Sequence, residues 1–171
     1  MIIQKYLIIA NKCGFKGCVI HVPKSTTSNK EDSYNIAKQN IINILENIDC
    51  KLILETPAGQ GTEMFTALED FVNFVKLINN SIYFNKLCMC IDTAHVFSTG
   101  YLPDEYIDKI IKYFSEDLDL IKLIHFNDSK VCKGSCRDLH ETLGRGFIPK
   151  NNLLKVAEIA NELNIPLVME Y

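Results

Sequence analysis

Leu87-Cys88-Met89-Cys90-Ile91-Asp92 is a run of five apolar residues that ends on a carboxylate. An apolar run of this length reads as a buried strand, in which free Cys packs as a small hydrophobe. Working outward, the same form recurs in Gly17-Cys18-Val19-Ile20-His21, Lys51-Leu52-Ile53-Leu54-Glu55, Leu120-Ile121-Lys122-Leu123-Ile124-His125-Phe126 and Pro166-Leu167-Val168-Met169-Glu170. Amphipathic spacing predicts helices between them. One covers 2–13 and stops at Gly14. A second covers 31–47, with Ile36, Ala37, Ile41, Ile44, Leu45 and Ile48 on its apolar side. Others lie near 64–79, from Pro103 with Tyr106, Ile107, Ile110, Ile111 and Phe114 buried, and near 151–163. A long polar loop spans 127–149. Strands alternating with helices make βαβ units, a parallel sheet and an α/β fold.

The residues that close these five strands are His21, Glu55, Asp92, His125 and Glu170. In parallel α/β barrels the C-terminal strand ends and the loops after them build the active site. A buried strand has no structural use for a charged end unless something of opposite charge binds there. The chain has four histidines. His21 and His125 close strands, and His95 and His140 fall in the loops that follow, three residues past Asp92 and two past Asp138. Asp138-Leu139-His140 is a compact chelating pair. Imidazole nitrogen with carboxylate oxygen and no thiolate suits zinc or manganese at an open, catalytic site.

Length and composition narrow the class. The 171 residues, 47% hydrophobic and 23% charged, make one globular domain and exclude disorder and low complexity. No uncharged apolar run approaches the ~18 residues of a membrane span. The apolar N-terminus is broken by Gln4 and Lys5 and reads as a helix rather than a signal peptide. A net charge of −3 argues against a simple basic nucleic-acid clamp, unless bound metal ions reverse the local sign. Seven Cys cannot all pair internally, and the expectation is a reducing compartment inside the cell. Cys13/Cys18 and Cys132/Cys136 are open to zinc ligation or labile disulfides, although their spacing is looser than a CxxC knuckle.

Four stretches, in this order, resemble the endonuclease IV family of apurinic/apyrimidinic endonucleases (AP endonuclease family 2). Glu55-Thr56-Pro57-Ala58-Gly59-Gln60-Gly61 is similar to its Glu-x-x-Ala-Gly-x-Gly, and Cys90-Ile91-Asp92-Thr93-Ala94-His95 to its Cys-Ile-Asp-Thr-x-His. His125-Phe126-Asn127-Asp128-Ser129-Lys130 is similar to its His-x-Asn-Asp-x-Lys. Gly134-Ser135-Cys136-Arg137-Asp138-Leu139-His140, closing with Gly144-Arg145-Gly146, is similar to its Gly-Ser-x-x-Asp-Arg-His and Gly-x-Gly. The resemblance implies a (β/α)8 TIM barrel of the xylose-isomerase-like type, with about five of the eight strands within 1–171 as a single partial domain. It also implies three metal ions. Glu55 bridges the first and second, His21 holds the first, Asp92, His125 and Glu170 complete the second, and His95, Asp138 and His140 hold the third. Zn2+ is the implied ion, with two complete sites in this chain and Mn2+ as the other candidate. The implied reaction is hydrolysis of the phosphodiester bond 5′ to an abasic site in double-stranded DNA, a step of base-excision repair, with Glu55 and Glu170 at the reacting centre. Arg137, Arg145, Lys130, Gly59 and Gly61 are the implied DNA contacts, and the family places the protein in the cytoplasm or nucleus.

The chain also departs from the family pattern. Its first strands and closing helix are expected to be missing, and with them a histidine of the first metal. The family's His-x-Gly-Ser becomes His21-Val22-Pro23-Lys24-Ser25, the Arg between the Asp and His ligands is Leu139, and the Glu of Gly-x-Gly is Arg145. Two other readings compete. A divalent-metal sugar isomerase or epimerase also places Glu, Asp and His at strand ends, but lacks the Asp-x-His loop, so Asp138 and His140 speak against it. An inactive or split barrel fragment would bind DNA, a complementing piece or itself through its open sheet edges.

Overall fold

The structure is a computed structural model that describes residues 2–46, 49–80, 86–115 and 117–170. Five parallel strands run in chain order, β1 (Gly17–Ile20), β2 (Lys51–Glu55), β3 (Leu87–Asp92), β4 (Ile121–His125) and β7 (Leu167–Val168). Helices α1 (Ile2–Lys12), α2 (Lys30–Leu45), α3 (Leu68–Asn79), α5 (Pro103–Tyr113) and α6 (Lys150–Glu162) lie between and before them. This curled sheet is an arc of a (β/α) barrel. All six residues of β3 are buried, as expected of its uninterrupted apolar run, while β1 and β7 are the sheet edges. Leu52, Leu54, Met89, Ile91, Phe71 and Phe74 form the centre of one core between sheet and helices. No described helix is long and apolar enough to cross a membrane.

The register delivers the charged ends together. Glu55 pairs with Cys90, and Asp92 with His125, so adjacent strands finish at nearly one level. His21 directly follows β1, and Glu170 lies two residues past β7.

The elements depart from the sequence expectation in four places. The helix expected near 64–79 starts only at Leu68, because Phe65 adopts φ +61°, outside helical space, and the Glu63 carboxylate accepts the Gly59 and Gln60 N–H groups, each at 3.0 Å, folding that segment back. His95 is not in a loop but in a short helix, α4 (Thr93–Ser98), because Asp92 Oδ1 accepts the His95 N–H at 2.8 Å and caps a helix at the strand's end. The polar stretch 127–149 contains an antiparallel pair, β5 (Asp128–Ser129) and β6 (His140–Glu141). The last strand is only Leu167–Val168, since the Glu170 N–H turns to the Asn127 side chain instead of a neighbouring strand. Ile48, read as apolar helix face, lies outside the described residues.

Candidate metal centre

Two groups of ligand-capable atoms converge at the C-terminal end of the sheet. Glu55, Asp92, His125 and Glu170 each offer one atom, all within 4.8 Å of one another. Asp92, His95 and His140 form a second group by the same measure. Asp92 belongs to both, so the end of β3 and α4 meet at this residue. Asp138 closes the second group, with Oδ1 at 3.0 Å from His95 Nε2 and 3.3 Å from His140 Nε2. In the first group His125 Nδ1 lies 2.8 Å from Glu55 Oε1 and 3.1 Å from Glu170 Oε2. His21 is mostly exposed, and its Nε2 is 3.6 Å from Glu55 Oε2. It joins no group of three among the described residues. A further group, Glu55, Cys90 and His125, includes a thiol that burial pushes far above its usual pKa.

Neutral residues hold these groups in place. The Asn127 side chain donates to Asp92 Oδ2 at 2.7 Å and Glu170 Oε2 at 3.3 Å, while its carbonyl accepts the Glu170 N–H at 2.9 Å. The Thr56 carbonyl lies 2.9 Å from His95 Nδ1, and its hydroxyl accepts the Asp92 N–H at 2.9 Å. A ligating imidazole is typically oriented by such a contact on its other ring nitrogen. The Gln60 side chain accepts the Asp138 N–H at 3.1 Å. Thr56, Gln60 and Asn127 stand inside the sequence motifs, which by themselves give them no task.

The charged groups of this centre shift one another's protonation. Burial alone would raise the Glu55 pKa, but the His125 hydrogen bond and the charges of His95, His125 and His21 lower it. Burial dominates at Asp92 and raises it against His95 and His140. Burial would lower His95, yet the Asp138 contact and the charges of Asp92, Asp138 and Glu55 lift it to about 10. His125 is raised by Glu55, Glu170 and Asp92 against its own burial. The donors fit a divalent cation. His95 Nε2 and His140 Nε2 are buried and make no aligned hydrogen bond among the described residues, although Asp138 and Asp92 oxygens lie 3.0–3.6 Å away. Imidazole lone pairs and carboxylates aimed at a shared point, without hydrogen-bond alignment, match nitrogen and oxygen coordination of zinc or manganese.

The predicted DNA contacts stay outside these groups. Lys130, Arg137 and Arg145 are exposed, and neither Arg makes an ion pair among the described residues. Gly59 has φ +82° and a Cβ there would touch Cys136 Sγ at 3.2 Å, so its turn alone requires glycine; Gly61, at φ +65°, faces open space. The seven cysteines are free, and Cys13, Cys132 and Cys136 are exposed.

Comparison with known proteins agrees with this architecture. A protein named probable endonuclease 4 from Mycoplasma mobile is 36% identical over 160 residues, 92% of this chain and 56% of that protein. One of the same name from Acholeplasma laidlawii is 28% identical over 98% of this chain and 58% of its own length. The chain therefore spans a little over half the length of the curated relatives it matches. The crystal structure of endonuclease IV from Thermus thermophilus superposes with a TM-score of 0.79 at 21% identity, covering 99% of this chain and 60% of that one. A D-tagatose 3-epimerase-like protein superposes with a TM-score of 0.72 at 19% identity, over 98% of this chain and 60% of its own, so backbone likeness gives the fold and does not choose a chemistry. Residues 2–171 match the pattern of the xylose isomerase-like TIM barrel family, and the chain belongs to it.

Proposed function

We propose that this chain carries the metal centre of a DNA repair endonuclease that hydrolyses the phosphodiester bond 5′ to abasic sites, with zinc as its ion. The observation that supports this over sugar isomerisation is the second ligand group. Strand ends alone supply Glu55, Asp92, His125 and Glu170, and a second constellation of His95, Asp138 and His140 is built beside them from α4 and the β5–β6 hairpin. Breaking a phosphodiester requires charge stabilisation on both the attacking and the leaving oxygen, which cations held by the two adjacent groups would supply. Bound divalent ions would bring the pKa of water toward neutrality and polarise the phosphodiester.

The chain's own residues prepare that chemistry. Asn127 sets the Asp92 and Glu170 carboxylates at a fixed separation, and Thr56 aims His95. Glu170, with 44% of its side chain exposed, is the carboxylate of the first group open to a substrate. Lys130, Arg137 and Arg145 project from the same stretch that carries Asp138 and His140, where they would meet DNA phosphates.

The reading is tested with a duplex carrying one abasic site and an unmodified control, each incubated with the chain in zinc or in chelator. Expected is zinc-dependent nicking of the abasic strand that leaves a polymerase-extendable 3′-hydroxyl. Equal nicking of both duplexes, or turnover of ketohexoses instead, would contradict it.

A further inference from the structure

Asp128 is fully buried and belongs to none of the three candidate ligand groups. Four backbone N–H groups converge on its carboxylate. Oδ1 accepts from Ser129 at 2.8 Å and Ile148 at 3.0 Å, and Oδ2 from Gly144 at 3.0 Å and Gly146 at 2.9 Å. An ionised carboxylate taken out of water is costly unless such charge-assisted bonds replace its hydration. Three of the four donors come from one turn, 144–148, so the carboxylate ties that turn to β5.

The same segment is tied on its other side to the ligand hairpin. Ser129 pairs with His140, and the Lys130 N–H donates to the Leu139 carbonyl at 2.9 Å. The Phe147 N–H donates to the Ser129 carbonyl at 2.8 Å, locking the turn from below. Residues 128–130 are thus a rail with His140 on one side and the Arg145 turn on the other. Gly146 fits because nothing larger could: a Cβ there would overlap the Ser129 carbonyl and Asp128 Oδ1.

We propose that Asp128 is a positioning residue whose buried carboxylate fixes the turn that carries Arg145 and, through the β5–β6 pairing, the placement of His140 against His95. The inference rests on the endonuclease reading for what Arg145 faces. The Gly144 and Gly146 amides point inward to Asp128, so the turn offers DNA the Arg145 guanidinium rather than its backbone.

The test uses the whole 171-residue chain with Asp128→Asn and, separately, Gly146→Ala. Amide hydrogen exchange should show residues 144, 146 and 148 losing about tenfold or more protection while β2, β3 and β4 keep theirs. Competition with a chelator should show zinc bound about tenfold more weakly at the His95–His140 group and unchanged at the Glu55–His125 group. Arg145→Ala should weaken binding of abasic duplex and lower its salt slope by about one in the parent, and do little in the Asp128→Asn background. Unchanged turn protection, protection lost across the whole sheet together, or an undiminished Arg145 effect in the variant would each overturn the proposal. The exchange and zinc readouts use no DNA, so they decide the role of Asp128 even if the parent fails to nick abasic duplex, the outcome that rejects the endonuclease reading instead.

Discussion

His95 is buried among three carboxylates, Asp92, Asp138 and Glu55. With its pKa lifted to about 10 in the ion-free chain, the folded state holds a proton that the unfolded chain releases near 6.5. That contribution to stability is complete below about pH 6.5 and is lost as pH rises through about 10. Thermal unfolding of chelator-treated protein should therefore give a Tm that falls across this window, and His95→Gln should flatten the fall; parallel curves would contradict the assignment. A divalent ion must expel the same proton, so zinc affinity should rise with pH over the same range. Glu170 tests the other group. Being half-exposed and tied by Asn127 rather than by core packing, it should tolerate Glu170→Ala with Tm nearly unchanged while nicking of abasic duplex falls at least a hundredfold. Undiminished cleavage would remove Glu170 from the site. The charged residues that the fold brings together were legible in the sequence because imidazole and carboxylate at strand ends are out of place in an apolar run. Asn127 and Thr56 were not, since a neutral amide or hydroxyl has no meaning until the fold shows whose hydrogen bonds it completes.

The helix α4 and the β5–β6 hairpin build the second ligand group, and both are short elements that periodicity does not reveal. Six residues of Thr93-Ala94-His95-Val96-Phe97-Ser98 are too few for an amphipathic repeat, and all six are buried. The two-residue strands of the hairpin carry no alternation to detect. The four longer strands and five longer helices were readable because burial in a sheet imposes an apolar run and burial along a helix face imposes a period, whereas the last strand is as short as those of the hairpin. Between elements, Gly59 makes a tight contact with the ligand hairpin. Gly59→Ala would force a left-handed backbone on a residue with a Cβ and press on Cys136 two residues before Asp138. The expected loss is about 1–3 kcal/mol in urea unfolding. A loss within about 0.5 kcal/mol, the size of an ordinary surface substitution, would show that the turn is not conformationally demanding.

At the scale of the whole molecule, a parallel sheet of five strands presents two edges, β1 and β7, and α1 exposes Ile2, Tyr6, Ile8 and Ile9 beside Phe15. Unpaired strand edges and contiguous apolar surface favour association. Sedimentation of the 171-residue, 19.5 kDa polypeptide alone should give species heavier than a monomer; a single monomer at all concentrations would show these surfaces to be inert. Charge acts at the same scale. Two bound divalent ions would offset the net charge of −3, which would help an acidic chain accept a polyanion. The proposed chemistry requires that centre to form from the residues present. Elemental analysis of the chain after exhaustive dialysis tests it most directly: about two zinc ions per chain, falling by about one in a His95→Ala, His140→Ala double variant, is the predicted result. A parent chain that retains no metal would contradict it.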